Sequence, residues 1–195
     1  DLERGPELFA VVEHLNRGQF LMEDPGELAP LNIMAARRAS LSAAFEPAHG
    51  YFLHALRQMG PDLWDRDYET ALAVHLEGAR AAYLSGHYSA MDERIEGVLT
   101  HGRSLLDRVR AREVRIQACV SQQALAQAVH LALEVLGELG VSLEHDPPVQ
   151  AIEAAVGATL ARLDLPIPRG GEGSSNSAGA TGSGRYPLIN QANHA

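Results

Sequence analysis

The chain has 195 residues, 46% hydrophobic and 21% charged, enough for one domain of ordinary size with its own core. Its formal charge of −9 argues against a nucleic-acid surface, and no apolar run approaches the ~20 residues that cross a bilayer. The lone cysteine, Cys119, excludes an intrachain disulfide and fits a reducing cytoplasm, while sparse aromatics (5%) among abundant Ala and Leu favour closely packed helices over sheets.

Opening at Asp1 without a Met or a signal peptide, the chain reads as a segment of a longer cytoplasmic protein. Residues 1–24 hold a first helix from Pro6 to about Asn16, with Leu8, Phe9, Val12 and Leu15 on one stripe and Gly18 as its breaker. Asp24-Pro25-Gly26-Glu27 then combines a capping acid, a first-turn Pro and a Glu two residues after it. The pattern predicts a helix start at residue 25.

Over 25–165 the apolar pattern is helical and recurs. A small or apolar residue that opens a second helix falls at Ala48, Met91 and Ala128, spaced by 43 and 37 residues. Twelve positions earlier stand Ala36, Ala79 and Ile116 on a first helix, and three earlier stand Phe45, Tyr88 and Leu125, expected to wedge between helices. Four later come Phe52, Ile95 and Ala132, and seven later Ala55, Val98 and Val135. Five positions agreeing in three copies predict helical hairpins stacked on one another: an all-α, tetratricopeptide-like superhelical stack. The spacings exceed the ~34-residue repeat of that class, so connections are lengthened or helices extended.

The punctuation fits. Gly60-Pro61-Asp62 divides the first hairpin from the second, and Ser85-Gly86-His87 is a tight turn. Ser104-Leu105-Leu106-Asp107 reads as a capping box, and Gly140 closes the third hairpin. A further amphipathic helix runs from Pro147-Pro148 to about Leu163. Residues 166–195, including GGEGSSNSAGATGSG, read as a flexible Gly/Ser-rich tail.

No reaction centre emerges. The chain has no phosphate-binding loop and no Lys to complete one, since all sixteen basic residues are Arg. His49 and His54, His75 and His87, and the pair His130–Glu134 do not form a three- or four-ligand metal set, so neither metal nor cofactor is expected. The acids from Asp62 to Glu69 complement a helix N-terminus, with Trp64 and Tyr68 packing the hairpin junction. Cys119 lies on an apolar stripe and reads as a buried structural thiol. The candidate partner-binding groove lies on the first helices. Arg37, Arg80 and Gln117 each follow the small residue, and two stacked arginines could clamp a carboxylate of a protein or peptide. A solvated charge is the plainer account of each.

The order FAVVEHLNRG, LNIMAARRASLSAAFEPAHGYFLHAL, WDRDYETALAVHLEGARAAYLSGHYSAMDE and LLDRVRAREVRIQACVSQQALAQAVHLALEVLGELGVSL resembles one family, that of large bacterial multi-sensor signalling proteins. Their helical region follows an AAA-type ATPase module in fusions with Ser/Thr kinase-like, GAF and histidine kinase domains. The resemblance covers about Leu8 to Leu143; AARRAS stands where the family carries a Lys-rich run, and no family catalytic residue maps here. It implies a non-catalytic scaffold or regulatory segment that couples neighbouring domains or protein partners. A free-standing peptide-docking module, or the helical arm of an ATP-dependent transcription regulator, is the alternative. An all-α enzyme is the reading with least support, for want of a convergent polar cluster.

Overall fold

The computed structural model describes residues 7–143 and 146–162, and every regular element among them is helical. In chain order these are α1 (Glu7–Gly18), α2 (Ala29–Leu41), α3 (Phe45–Met59), α4 (Leu63–Arg66), α5 (Tyr68–Leu84), α6 (Tyr88–His101), α7 (Leu105–Ser121), α8 (Leu125–Glu138) and α9 (Val149–Arg162). Short 3-10 turns at Gln19–Leu21 and Pro25–Leu28 join α1 to α2. No helix among the described residues is long and apolar enough to cross a membrane.

The helix expected from residue 25 begins later. Asp24 accepts from the Gly26 N–H at 2.8 Å, as its capping role requires, but the turn it caps is 3-10 and α2 starts at Ala29. Pro30 supplies the reason. An α-helix entered at residue 25 would need a Pro30 N–H for the Gly26 carbonyl and would meet the proline ring there. That carbonyl takes the Ala29 N–H instead.

Three hairpins follow, α2–α3, α5–α6 and α7–α8, and one turn builds all of them. The first helix is capped by Ser42, Ser85 or Gln122, and the next residue is left-handed: Ala43 (φ 55°), Gly86 (φ 82°) and Gln123 (φ 61°). The N–H of Ala44, His87 and Ala124 then reaches back to the carbonyl of Ala39, Ala82 and Cys119 at 2.9, 2.8 and 2.9 Å. The left-handed residue itself donates to Ser40, Tyr83 and Val120. This nested pair of bonds is the Schellman motif, which satisfies carbonyls that a helix end leaves open. Between hairpins the connections differ. Gly60–Asp67, containing α4, separates the first two, whereas only Gly102–Ser104 separates the second from the third; this unequal connection, with α3 one residue longer than α6, is the difference read between 43 and 37.

The repeated small residues lie where helices meet. Ala36, Ala48, Ala55, Ala79, Met91, Val98, Ala128 and Val135 are buried, as are Phe52 and Ile95. The third hairpin departs from the pattern, with Ile116 and Ala132 only half-buried. The expected wedges also fail. Phe45 is half-buried, while Tyr88 and Leu125 are 37% and 54% exposed, because the first residue of each second helix points off the hairpin junction. Each second helix packs on the first helix of the next hairpin (α3 on α5, α6 on α7), and the first helices touch along α2, α5 and α7.

The α1 helix joins the first hairpin by burying Leu8 and Val12 against Ala35, with Phe9 stacked on Tyr51 at 5.9 Å. Below them Asn16 and Asn32 exchange amide hydrogen bonds at 2.8 and 2.9 Å, and Gln58 joins both. Asn32 has no exposed surface, and its polar atoms are satisfied within this cluster.

The compact unit that holds α1–α8 closes at Asp146, and α9 belongs to a second unit from Pro147 onward, whereas the sequence pattern runs the array to 165. Taken by itself, α9 has no buried residue, and its Ala151 N–H bonds the Pro148 carbonyl at 2.8 Å. The tail expected over 166–195 lies outside the described residues.

Candidate functional site

The first helices α2, α5 and α7 carry the three residues singled out in the sequence, and they fall along one continuous face. Arg37 and Leu41 of α2, Phe45 of α3, and Glu77, Arg80 and Leu84 of α5 border a groove of about 540 Å³. Glu77 and Arg80 continue into a smaller hollow of about 160 Å³, completed by Arg110, Glu113 and Gln117 of α7. Arg37 therefore shares a groove with Arg80, and Arg80 shares one with Gln117. On its other side Arg37 borders a wider hollow of about 900 Å³ with Ile33, Met34 and Leu41.

The two arginines do not act alike. Arg37 is engaged by Glu77 of the next hairpin through a two-point pair, Nε to Oε2 at 2.7 Å and Nη2 to Oε1 at 3.0 Å, and this hydrogen bonding raises its pKa above the ordinary guanidinium value. It is a strut between α2 and α5 before it is a ligand for anything else. Arg80 is exposed and has no hydrogen-bond or ion-pair partner among the described residues. Gln117 donates to Glu113 one turn earlier at 3.2 Å. The stacked-arginine clamp is thus reduced to one open cation. Beside it stand an occupied ion pair and the exposed apolar side chains Leu41 (89%) and Leu84 (40%).

Other arginines on first helices also serve as struts. Arg115 of α7 bonds Asp92 and Glu96 of α6, both at 3.0 Å, and Arg112 of α7 pairs with Glu138 of α8. The acidic stretch before α5 behaves as its position predicts. Asp67 accepts from the Thr70 N–H, and hydrogen bonding with the Thr70 side chain and then this N–H holds its carboxyl below the usual range. Trp64 and Tyr68 pack at 5.8 Å. Ser104 and Asp107 form the expected capping box, and Tyr68 extends it by donating its hydroxyl to Asp107 and accepting the Arg103 N–H, both at 2.8 Å.

The histidines do not converge. His49 is buried and stacks on His87 at 4.3 Å, while His75 lies against Trp64 at 4.7 Å and donates Nδ1–H to the Ala71 carbonyl. Among the described residues no group of three or more His, Cys, Asp or Glu is placed to hold a metal ion. Cys119 is buried at the turn between α7 and α8.

One residue escaped sequence reasoning. Arg94 of α6 is only 4% exposed, with its Nε enclosed and unpartnered. A signal existed: Arg94 shares the stripe of Met91, Ile95 and Val98, where the other copies place Tyr51 and Leu131. The opposing residue is Gly78, and a Cβ there would come within 3.1 Å of the Arg94 Cδ and Nε. An arginine on an apolar stripe facing a glycine is a size exchange that a helical pattern can disclose.

No family model, curated protein or solved structure matches this chain.

Proposed function

We propose that the chain is a tetratricopeptide-like superhelical stack serving as a non-catalytic scaffold or regulatory segment of a cytoplasmic multi-domain signalling ATPase or kinase, coupling neighbouring domains or binding protein partners. The observation that carries this reading is the single turn and buried register used by all three hairpins, with first helices that line one continuous face. Packing accounts for the repeated positions, and the open polar group on that face is a recognition element, not a reacting one. Purified chain is expected neither to hydrolyse ATP nor to bind nucleotide at micromolar concentration. Either activity would overturn the reading.

The unpartnered Arg80 beside Leu41 and Leu84 favours, as a second reading, a peptide-docking module. Its ligand is an extended peptide with a carboxylate for Arg80 and an apolar side chain for the groove. On a peptide array, Arg80→Ala is expected to remove most binding. Arg37→Ala acts through loss of the Glu77 strut and is expected to affect stability as well. An array without a ligand that responds to Arg80 counts against docking on this face.

A further inference from the structure

On α3, α5 and α6, away from the groove of the first helices, the first and second hairpins leave a hollow of about 470 Å³. Leu53 and Leu56 of α3 and Leu63 and Trp64 of α4 form apolar walls, His75 of α5 lies at the side, and Arg94 of α6 contributes the buried charge. Arg57 and Glu93, both exposed, stand at its rim.

Arg94 is the feature that requires explanation. Its Nη1 donates to the Ala90 carbonyl of its own helix at 2.9 Å. Nε is enclosed beside Gly78 without a partner, and Nη2 forms no hydrogen bond among the described residues, which leaves Nη2 as the guanidinium nitrogen that a ligand carboxylate would take. No carboxylate pairs with it among the described residues, so a cation only 4% exposed keeps a single neutral protein acceptor, an arrangement that folding alone does not favour. The surroundings are nonetheless cut to hold it. Gly78 makes room for its stem, and Gly97 makes room for His75, whose ring a Cβ there would meet at 3.0 Å. His75 adds no charge to the balance, because burial pushes its pKa down and its Nδ1 proton is committed to Ala71.

We propose that this hollow binds a small organic monocarboxylate, its apolar body against Trp64, Leu53 and Leu56 and its carboxylate on Arg94. One buried positive charge calls for one negative charge. Glu93 at the rim disfavours a dianion, and the apolar half of the lining favours an organic anion over a bare inorganic one. The volume fits a body of several carbons and no macromolecule.

Trp64 is the only tryptophan, so its fluorescence reports the site in the intact chain. Straight-chain carboxylates from butyrate to decanoate are titrated, with hexanamide as the neutral isostere of hexanoate and hexyl phosphate as the dianion. Saturable change is expected with carboxylates, with hexanamide and hexyl phosphate about tenfold weaker or more than hexanoate. In Arg94→Met, hexanoate and hexanamide become equivalent, whereas Arg57→Gln at the rim weakens hexanoate only about twofold. The proposal is overturned by no saturable response across the series, by equal binding of hexanoate and hexanamide to the unsubstituted chain, or by tighter binding of hexyl phosphate. The wild-type arms stand whether or not Arg94→Met folds.

Discussion

A guanidinium taken out of water is stable only where acceptors replace its hydration, and at Arg94 one carbonyl takes Nη1 while the enclosed Nε has none. Burial accordingly pushes its pKa below the ordinary arginine value, with the charge of Glu93 opposing the shift. Methionine has a similar stem and no charge, so Arg94→Met is expected to stabilise the ligand-free chain by about 1 kcal/mol, read as a rise in Tm. A fall in Tm would mean that the bond to Ala90 and the packing on Gly78 outweigh the buried charge. Histidines add a pH dependence. Burial is the main cause that lowers the pKa of His49, His54 and His75 below the ordinary value of 6.5. The unfolded chain therefore takes up protons first as pH falls. Stability present above pH 6.5 is lost as pH drops through the lowered folded values, and Asp67 and Asp107 add a further loss below about 3.8. Thermal melts between pH 7.5 and 5 should show Tm falling, and His75→Gln, which can still donate to Ala71, should make that fall shallower. An unchanged slope in this variant would remove His75 from the account.

At the scale of the element, the shared Schellman turn makes the three hairpins directly comparable. The geometry asks for a left-handed residue, and only the second hairpin supplies glycine for it; Ala43 and Gln123 adopt the same conformation with a Cβ in place. A Cβ added at Gly86 would meet no atom within 4 Å, so any substitution cost there is conformational and not steric. Ala43→Gly and Gln123→Gly are each expected to stabilise by about 0.5–1 kcal/mol, and Gly86→Ala to destabilise by about 1 kcal/mol. Chemical denaturation of the three variants tests this directly. Opposite signs at 43 and 86 are required, and equal signs would mean that the turns are not equivalent. The α7 start shows how a local cap becomes a tertiary contact: the Ser104–Asp107 box is closed from outside by the Tyr68 hydroxyl, with Arg103 lying over the Tyr68 ring at 4.0 Å.

Across the whole compact unit, stability is uneven because each hairpin rests on its neighbours. The α5 helix is held by α3 and α4 on one side and by α6 and α7 on the other, and it buries Ala71, Leu72, Val74, Leu76, Gly78, Ala79, Ala81 and Ala82. The α8 helix contributes only Ala128 and Val135 to the buried set, and Leu125, Val129 and Leu139 stay exposed. Native-state hydrogen exchange should therefore find the slowest amides in α5 and adjacent α6. Those of α8 should exchange faster by at least tenfold, as a unit with the C-terminal half of α7. Uniform protection from α2 to α8 would show that the hairpins unfold together.

Helix content, the hairpin plan, the capping box and the packing of Trp64 on Tyr68 were all legible in the sequence. The capping box and the Trp64–Tyr68 contact depend on spacing within one or two turns, where side-chain chemistry acts on its own backbone, and the hairpin plan on a register that recurs along the chain. Arg37, Arg80 and Gln117 were legible as residues of one face, since a repeated register carries its outward positions with it. Their states were not. Arg37 meets Glu77 forty residues away, and Arg80 stays open although Glu77 and Glu113 line the same hollow, since Glu77 is taken by Arg37 and Glu113 accepts from Gln117. The left-handed turns at Ala43 and Gln123 were hidden because neither residue announces that conformation, and the wedges at Phe45, Tyr88 and Leu125 were misread because hydrophobicity does not specify direction at a helix start. Only the tertiary structure decided that Arg94 is buried without an ion-pair partner among the described residues, since burial is set by the helices that close over a residue, here α3 and α5 meeting α6 across Gly78.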